Sequence, residues 1–277
     1  MSVTVAPGTL YIVSTPIGNL GDLSPRAIET LRAASAVLAE DTRHSRPLLE
    51  RFGVTTALVA YHEHNEAKTT PTLVARMVGG ASLALISDAG TPLLSDPGAR
   101  LVRAAIEAGV PVSPVPGASA LLAALVGAGL VADRFTFFGF LPRKGRQRTE
   151  AIRDIVALSH VAVLYEAPLR VGDTLADLAA AGASEREAVV ARELTKQFEE
   201  FRRGSVRTLI ASCTQDPPRG EVVLVISGAP PTVVDENALR AQARALRADG
   251  LSARDVVRVL AEDGHAPRNL AYRLAHE

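Results

Sequence analysis

The sequence predicts an α/β protein: two α/β domains with a cleft between them, then a small helical C-terminal tail. Three observations lead there. Short apolar runs alternate with helical stretches over residues 9–128, a pattern that builds a mainly parallel sheet covered on both faces. The pattern resets near residues 129–134 and a second alternation begins. After Gly228-Ala229-Pro230-Pro231 the strand-like runs stop and the chain turns rich in Ala, Arg and Leu. The expected domains are 1–131, 132–230 and a helical extension over 231–277.

The totals agree with such a chain. At 277 residues it is long for one core and suits two. Hydrophobic residues make up 47% and charged residues 22%, a globular balance. Thirty basic residues cancel thirty acidic ones, so affinity for nucleic acid has to come from local patches. Cys213 is the only cysteine, which excludes an intrachain disulfide and a thiolate metal cluster. No apolar run is long enough to span a bilayer, so no membrane partner is expected. The first residues lack the basic region and cleavage site of a signal peptide, and the cytoplasm is the expected compartment.

In the first block the expected strands are residues 9–14, 36–40, 57–61, 82–87 and 111–115, and the expected helices 24–33, 43–52, 66–78, 96–108 and 118–128. Ser24-Pro25 and Asp96-Pro97 each join a capping side chain to a proline suited to a helix's first position. In the second block strands are expected at 135–140, 161–166, 188–193, near 198–202, and at 221–227. Residues 251–275 read as a capped helix, a glycine turn and a proline-started helix, similar to a helix-turn-helix. A helical bundle packed on the body fits the same pattern. From Val233 onward seven arginines face seven carboxylates, which weakens any claim that the tail alone grips phosphates.

Chemistry concentrates where the first block's strands end, the edge at which parallel sheets hold ligands. Residues 85–102 carry Ser87-Asp88-Ala89-Gly90 and, eight positions later, Ser95-Asp96-Pro97-Gly98. A glycine there lets the backbone turn sharply and a ligand approach closely. A second loop, around Gly18-Asn19-Leu20-Gly21-Asp22, and a third, over residues 115–120, offer the same small residues. Three such bends suit a folded small molecule held by main-chain groups better than a pyrophosphate, and the G-x-G-x-x-G spacing is absent. Glu40, Asp41, Arg43 and His44 crowd the end of the second strand. Asp41 reads as a helix cap, with general-base or phosphate contact as the functional alternative. His62 and His64 flank Glu63 as if on one face of a strand, but nothing else has ligand spacing, and no metal is expected. Arg143, Lys144, Arg146 and Arg148 form a short basic loop suited to phosphate contact. The phenylalanines before it, Phe135, Phe137, Phe138 and Phe140, read as strand core rather than a base-stacking platform. Tyr165, Glu166 and Arg170, then Arg192, Glu193 and Lys196, fall at later strand ends, either as ion pairs or as cleft residues.

In this order the segments TPIGNLGD, AEDTRHS, YHEHNE, SDAGTPLLSDPG, VPGASA, FFGFLPRKG, YEAPLR and ARELTKQFEEF resemble the tetrapyrrole methylase superfamily, in its branch that modifies ribosomal RNA. Porphyrin-modifying members carry a Gly-Asp-Pro turn where Ser87-Asp88-Ala89 stands. The resemblance covers residues 8 to about 228. It implies a class III methyltransferase fold, S-adenosylmethionine as methyl donor, a homodimer, and 2′-O-methylation of cytidine 1402 in 16S rRNA within the 30S subunit. Carried over by position, Pro16, Ile17, Gly18, Ser87, Asp88, Thr91, Ser119, Ala120, Tyr165 and Glu166 should line the donor pocket. The second Ser-Asp-x-Gly turn would cap the following helix. One departure stands out: Ala167 and Leu169 occupy positions where the branch has serine and histidine. A ribose hydroxyl needs a proton acceptor, for which Asp22, Glu40 and Asp41 are the candidates, with Glu166 a fourth. Arg43, Arg143, Lys144, Arg146, Arg170 and Arg192 are the expected RNA contacts. A tetrapyrrole methylase and a non-catalytic RNA-binding factor are the rival readings. The basic loop argues against the first, the intact glycine-rich bends against the second.

Overall fold

The computed structural model describes residues 5–230, 235–262 and 266–277. The chain forms two compact units, Met1–Ala229 and Pro230–Glu277.

The first sheet has β1 (Leu10–Val13), β2 (Ala36–Ala39), β3 (Leu58–Ala60), β4 (Leu83–Leu85) and β5 (Val112–Val115), in the order β3-β2-β4-β1-β5. Every pairing is parallel. Strands buried on both faces explain the near-continuous apolar runs. Tyr11, Val13, Val37, Ala39, Ala84 and Ile86 face α1 (Pro25–Ala33) and α2 (Thr42–Arg51), whereas Leu10, Leu38, Leu83 and Leu85 face α3 (Glu66–Val78) and α4 (Ala99–Glu107). The chain leaves β1 and β4 in opposite directions along the sheet. The crevice between their carboxyl ends is therefore the switch point at which such sheets bind ligands.

Two helix starts behave as the sequence indicates: the Ser24 hydroxyl accepts from the Ala27 amide, and the Asp41 carboxylate from the Arg43 amide. The third does not. Asp96-Pro97 does not open α4; Gly98 is the N-cap, at φ 129° and without a side-chain cap. A Cβ at residue 98 would lie 2.6 Å from Leu85 Cδ2. Only glycine fits that approach, so the helix begins beyond it. Leu93 and Ser95 also adopt positive φ, and the segment before Gly98 becomes a tight irregular loop. Asp96, expected as a cap, is left on the loop's inner side.

α5 (Ala120–Ala128) follows the edge strand β5, and its place in the chain puts it with the first block. Its buried residues Leu121, Ala124, Leu125 and Ala128 instead pack on Val161, Val163, Val189, Val223 and Val225 of the second sheet. Its sequence, ALLAALVGA, has no polar face to fix which side is buried.

The second sheet contains β6 (Phe135–Phe140), β7 (Val161–Glu166), β8 (Glu187–Arg192), β9 (Glu200–Ser205) and β10 (Val222–Ile226), in the order β6-β7-β10-β8-β9. Only β6 and β7 are parallel; β7-β10, β10-β8 and β8-β9 are antiparallel. Its other face carries α6 (Arg146–Ala157), α7 (Val171–Leu178) and α8 (Val206–Gln215). β9 begins later than its apolar residues suggest, because Glu193 and Thr195 turn through positive φ and Glu199 accepts the Thr195 amide at 2.7 Å.

The second unit has α9 (Glu236–Ala248), α10 (Ala253–Glu262) and α11 (Arg268–His276) around Leu239, Ala243, Val256, Leu260, Ala271 and Leu274. The expected glycine turn at Gly264 lies outside the described residues.

Candidate functional site

The three glycine-rich bends of the first sheet converge. Past β1, the Thr15 amide donates to the Gly90 carbonyl at 2.9 Å and the Gly90 amide returns a bond to the Thr15 carbonyl at 3.1 Å. The Thr15 hydroxyl donates to the Ser87 carbonyl at 3.2 Å, and the Ser87 hydroxyl to the Gly90 carbonyl at 3.2 Å. Thr91 Oγ1 donates to the Ala118 carbonyl at 3.0 Å. With its proton so committed, Thr91 accepts from Ser14 Oγ at 3.1 Å. A Cβ at Gly117 would meet Ser14 Cβ at 2.9 Å, and one at Gly90 would meet Ile17 Cγ2 at 3.1 Å. Small residues recur here because three loops pack against each other through backbone, not only because a ligand approaches.

Between these bends and the second sheet lies a cavity of about 390 Å³. Of the residues expected to hold a donor, Ile17, Asp88, Thr91, Ser119, Ala120, Tyr165 and Glu166 line it. Three do not. Pro16 is buried beneath the loop; Ser87, also buried, spends its hydroxyl on loop carbonyls; Gly18 lies outside the lining with the Lys196 chain laid across it. The cavity wall holds four carboxylates (Asp88, Asp96, Glu166 and Glu221) and, among the described lining residues, no lysine or arginine. Glu166 is offset by Arg170 at 3.4 Å and Glu221 by Lys196 at 3.1 Å, and the charge left on Asp88 and Asp96 makes the wall favour a cation over a phosphate. Phe140, expected as strand core, is 58% exposed and stands at this wall with its ring 5.5 Å from Tyr165. β6 is an edge strand whose register shifts between Phe137 and Phe140, and the irregularity turns Phe140 toward the cleft.

The proton-acceptor candidates separate. Asp22 ends an exposed 3-10 turn, Leu20–Asp22, away from the cavity. Asp41 caps α2, and Arg43 holds it through two bonds of 3.0 and 2.7 Å. The Arg43 hydrogen bonds keep its carboxyl well below the usual range, so it is a poor base. Glu166 is buried and saturated: it accepts from the Ala167 amide at 2.9 Å and the Thr174 hydroxyl at 2.6 Å, with Arg170 at 3.4 Å. Glu40 lines a second cavity of about 330 Å³ with Glu63, Glu66 and Arg100; burial and then the Asp88 charge raise its carboxyl above the usual range.

Asp96, expected to cap the following helix, stands instead where the two cavities meet. It lines both cavities. Burial, followed by the Glu40 and Asp88 charges, pushes its carboxyl up to about 6. The available signal was the exact repeat of the Ser-Asp-x-Gly turn, whose second copy looked like a helix start. Asp88 itself is steadied by the Asp41 amide at 3.3 Å.

The basic residues divide in the same way. Arg43 is exposed and paired with Asp41. Arg146 and Arg148 lie on α6 rather than in a loop; the first pairs with Glu150, and the second is drawn in to Asp177 and Thr174. Arg170 donates to the Leu141 and Pro142 carbonyls, each at 3.1 Å, and so holds the chain that leaves Phe140. Arg192 is committed to Glu200 at 2.7 Å and the Arg219 carbonyl at 3.3 Å. Arg143 and Lys144 remain exposed at the start of α6. His62 and His64 sit in a turn, not on a strand, with ring centroids 6.0 Å apart.

Comparison with known proteins matches residues 9–210 to the family model of tetrapyrrole (corrin/porphyrin) methylases. A protein of Synechocystis sp. named ribosomal RNA small subunit methyltransferase I is 47% identical over 274 residues, 98% of each chain. One of the same name from Xylella fastidiosa is 46% identical over 272 residues, covering 96% of this chain and 98% of its own. Among solved structures, a uroporphyrin-III C-methyltransferase of Thermus thermophilus in complex with S-adenosyl homocysteine superposes with a TM-score of 0.58. It is 18% identical and covers 79% of this chain and 97% of its own; at that identity the likeness is one of fold.

Proposed function

The chain belongs to the tetrapyrrole (corrin/porphyrin) methylase family, and from that premise we propose that it is an S-adenosylmethionine-dependent methyltransferase of small-subunit ribosomal RNA, acting on the ribose 2′-hydroxyl of cytidine 1402 in 16S rRNA. Near-full-length relatives at 46–47% identity carry the RNA-methyltransferase name. The observation that carries the chemistry is the cavity wall: four carboxylates, two aromatic rings and bare loop backbone, with no basic side chain among its described residues. That wall fits a donor with a sulfonium charge and an amino group. Bound there, S-adenosylmethionine supplies an electrophilic methyl group for in-line displacement.

The chain's own residues do the rest. Ile17, Gly90, Thr91 and Ala120 shape the floor through loops that hydrogen bonds have already fixed, so little ordering is left for the moment of reaction. Tyr165 and Phe140 form an aromatic wall. Asp96, at the junction of the two cavities, accepts the 2′-hydroxyl proton; a carboxyl near 6 is ionised at neutral pH yet more basic than an ordinary aspartate. Arg143 and Lys144, exposed after Pro142, contact phosphate, and Arg170 acts by holding the Leu141 and Pro142 carbonyls that precede them. The protein works in the cytoplasm, on the assembled 30S particle, as a homodimer. The exposed Leu122 and Val126, one turn apart on α5, support the dimer as apolar surface in need of a cover.

The test is methyl incorporation from labelled S-adenosylmethionine into 30S particles that lack the modification, against a porphyrin precursor, with mass spectrometry of the 16S product. Incorporation into RNA, mapping to the ribose of cytidine 1402, is the expected result. Label in the porphyrin alone, or in a base, would overturn the assignment.

A further inference from the structure

The tail's seven arginines and seven carboxylates suggest a neutral module, but the fold sorts them. Glu236 takes both Arg240 at 2.7 Å and Arg273 at 3.0 Å, and Glu277 takes Arg240 at 2.7 Å. Arg247 donates to the Leu251 carbonyl. Much of the tail's charge is thus neutralised where α9 begins and α11 ends. The other side is different. A groove of about 760 Å³ between α10 and α11 is lined by Arg254, Arg258, Arg268, Tyr272 and His276, with Asp255 and Glu262 also in its wall. Asp255 is occupied, accepting the Ser252 hydroxyl at 2.5 Å and sitting 3.7 Å from Arg258. Among the described residues Arg254 and Arg268 make no ion pair.

Two further features point the groove at a nucleic acid. α11 starts at Arg268 after Pro267, which supplies no side-chain cap; Asn269 Oδ1 accepts from the Leu270 amide at 3.0 Å, and the positive end of the helix lies beside Arg268. Tyr272 is exposed, and its ring lies 4.3 Å from that of His276 at 32°. His276 is fixed by a 2.8 Å contact between its Nδ1 and the Tyr272 carbonyl. A tilted aromatic pair on the surface, flanked by Arg254 and Arg268, which make no ion pair among the described residues, supplies stacking faces and phosphate partners together, the combination that single-stranded RNA requires.

We propose that the α10–α11 groove is a second RNA-binding surface, which takes an unpaired ribosomal RNA segment with its phosphates on Arg254, Arg258 and Arg268 and a base on the Tyr272–His276 pair. This rests on the reading of the chain as an rRNA methyltransferase but concerns a surface with no part in methyl transfer.

The experiment compares the full-length protein with R254Q/R258Q/R268Q and, separately, Y272A. Binding to protein-free 16S rRNA and to 30S particles is measured across potassium chloride concentrations, together with S-adenosylmethionine affinity and thermal unfolding. The triple variant is expected to lose about 10-fold or more in RNA affinity near physiological salt. Its log–log salt slope should fall by about 2 to 3, in line with three lost phosphate contacts. Y272A should lose affinity with the slope unchanged. Donor affinity should be unaltered in both, which shows the methylase body intact. Wild-type affinity and slope in the triple variant overturn the proposal, even with methylation of 16S rRNA established. Weakened binding to 30S particles with unchanged binding to protein-free rRNA also overturns it, in favour of a ribosomal protein as the partner. If the wild-type protein methylates no RNA, the functional reading falls, whereas a reduced salt slope in the variant would still establish the groove.

Discussion

Asp96 shows how a single backbone requirement reassigns a side chain. Gly98 must approach Leu85 at positive φ, α4 therefore starts at Ala99, and the carboxylate two residues earlier turns inward instead of capping. Asp96→Asn should lower kcat about 100-fold or more, the usual scale for losing a general base, a larger effect than its loss of one carboxylate has on donor affinity by calorimetry. In the wild-type protein the acidic limb of the kcat/KM profile should fall as pH drops through about 6. The stability effect has the opposite sense. The folded-state pKa lies above the ordinary aspartate value, so the stabilisation belongs to the protonated form: it is full below about 4 and lost as pH rises through about 6. Asp96→Asn should thus raise the melting temperature at pH 8 and leave it unchanged at pH 4. The gain is on the order of 1 kcal/mol once solvent screening of a half-buried group is allowed for. A pH-independent change in stability would remove the burial argument. A carboxylate that costs stability where it is ionised is what a site selected for reactivity produces.

At the scale of elements, the site is a set of strand ends held by side chains that do no chemistry. Glu166 is the clearest case. It ends β7 and lines the cavity, yet its oxygens are taken by the turn Pro168–Arg170 and by Thr174 on α7. Its work is to lock the end of β7 to α7, with Arg170 extending the lock to the Leu141 and Pro142 carbonyls. Thr174→Val removes the hydroxyl while keeping the shape and leaves a buried carboxylate short of a donor. Unfolding should show a loss of about 1–3 kcal/mol, with kcat of the folded enzyme nearly unchanged. A large fall in kcat at unaltered stability would instead place Glu166 in the reaction. The basic residues illustrate the same division: Arg148, Arg170 and Arg192 bind the fold together, whereas Arg143 and Lys144 are exposed and make no ion pair among the described residues.

At the scale of the whole molecule, α5 joins the two sheets. One face buries Leu121, Ala124, Leu125 and Ala128 on the second sheet; the other exposes Leu122 and, at 82%, Val126. A helix apolar on both faces needs two partners, and the first unit supplies one. For the proposed homodimer, sedimentation should show a dimer in the wild-type protein and a monomer in Val126→Glu, with circular dichroism unchanged; a dimer that persists would place the interface elsewhere. By itself the sequence determined the alternation of strand and helix, the start of a second alternation after the fifth helix, the helical tail, and the three glycine bends at the strand ends. All of these depend on local periodicity and turn chemistry, which neighbours along the chain decide. Only the tertiary structure decided which carboxylates are buried or paired, that Phe140 faces the cleft, that α5 serves the second sheet, and that a neutral tail carries a basic groove. Each of those depends on which groups find partners across long stretches of chain. A residue type does not show whether its charge is already spent, because pairing and burial arise only when distant segments meet.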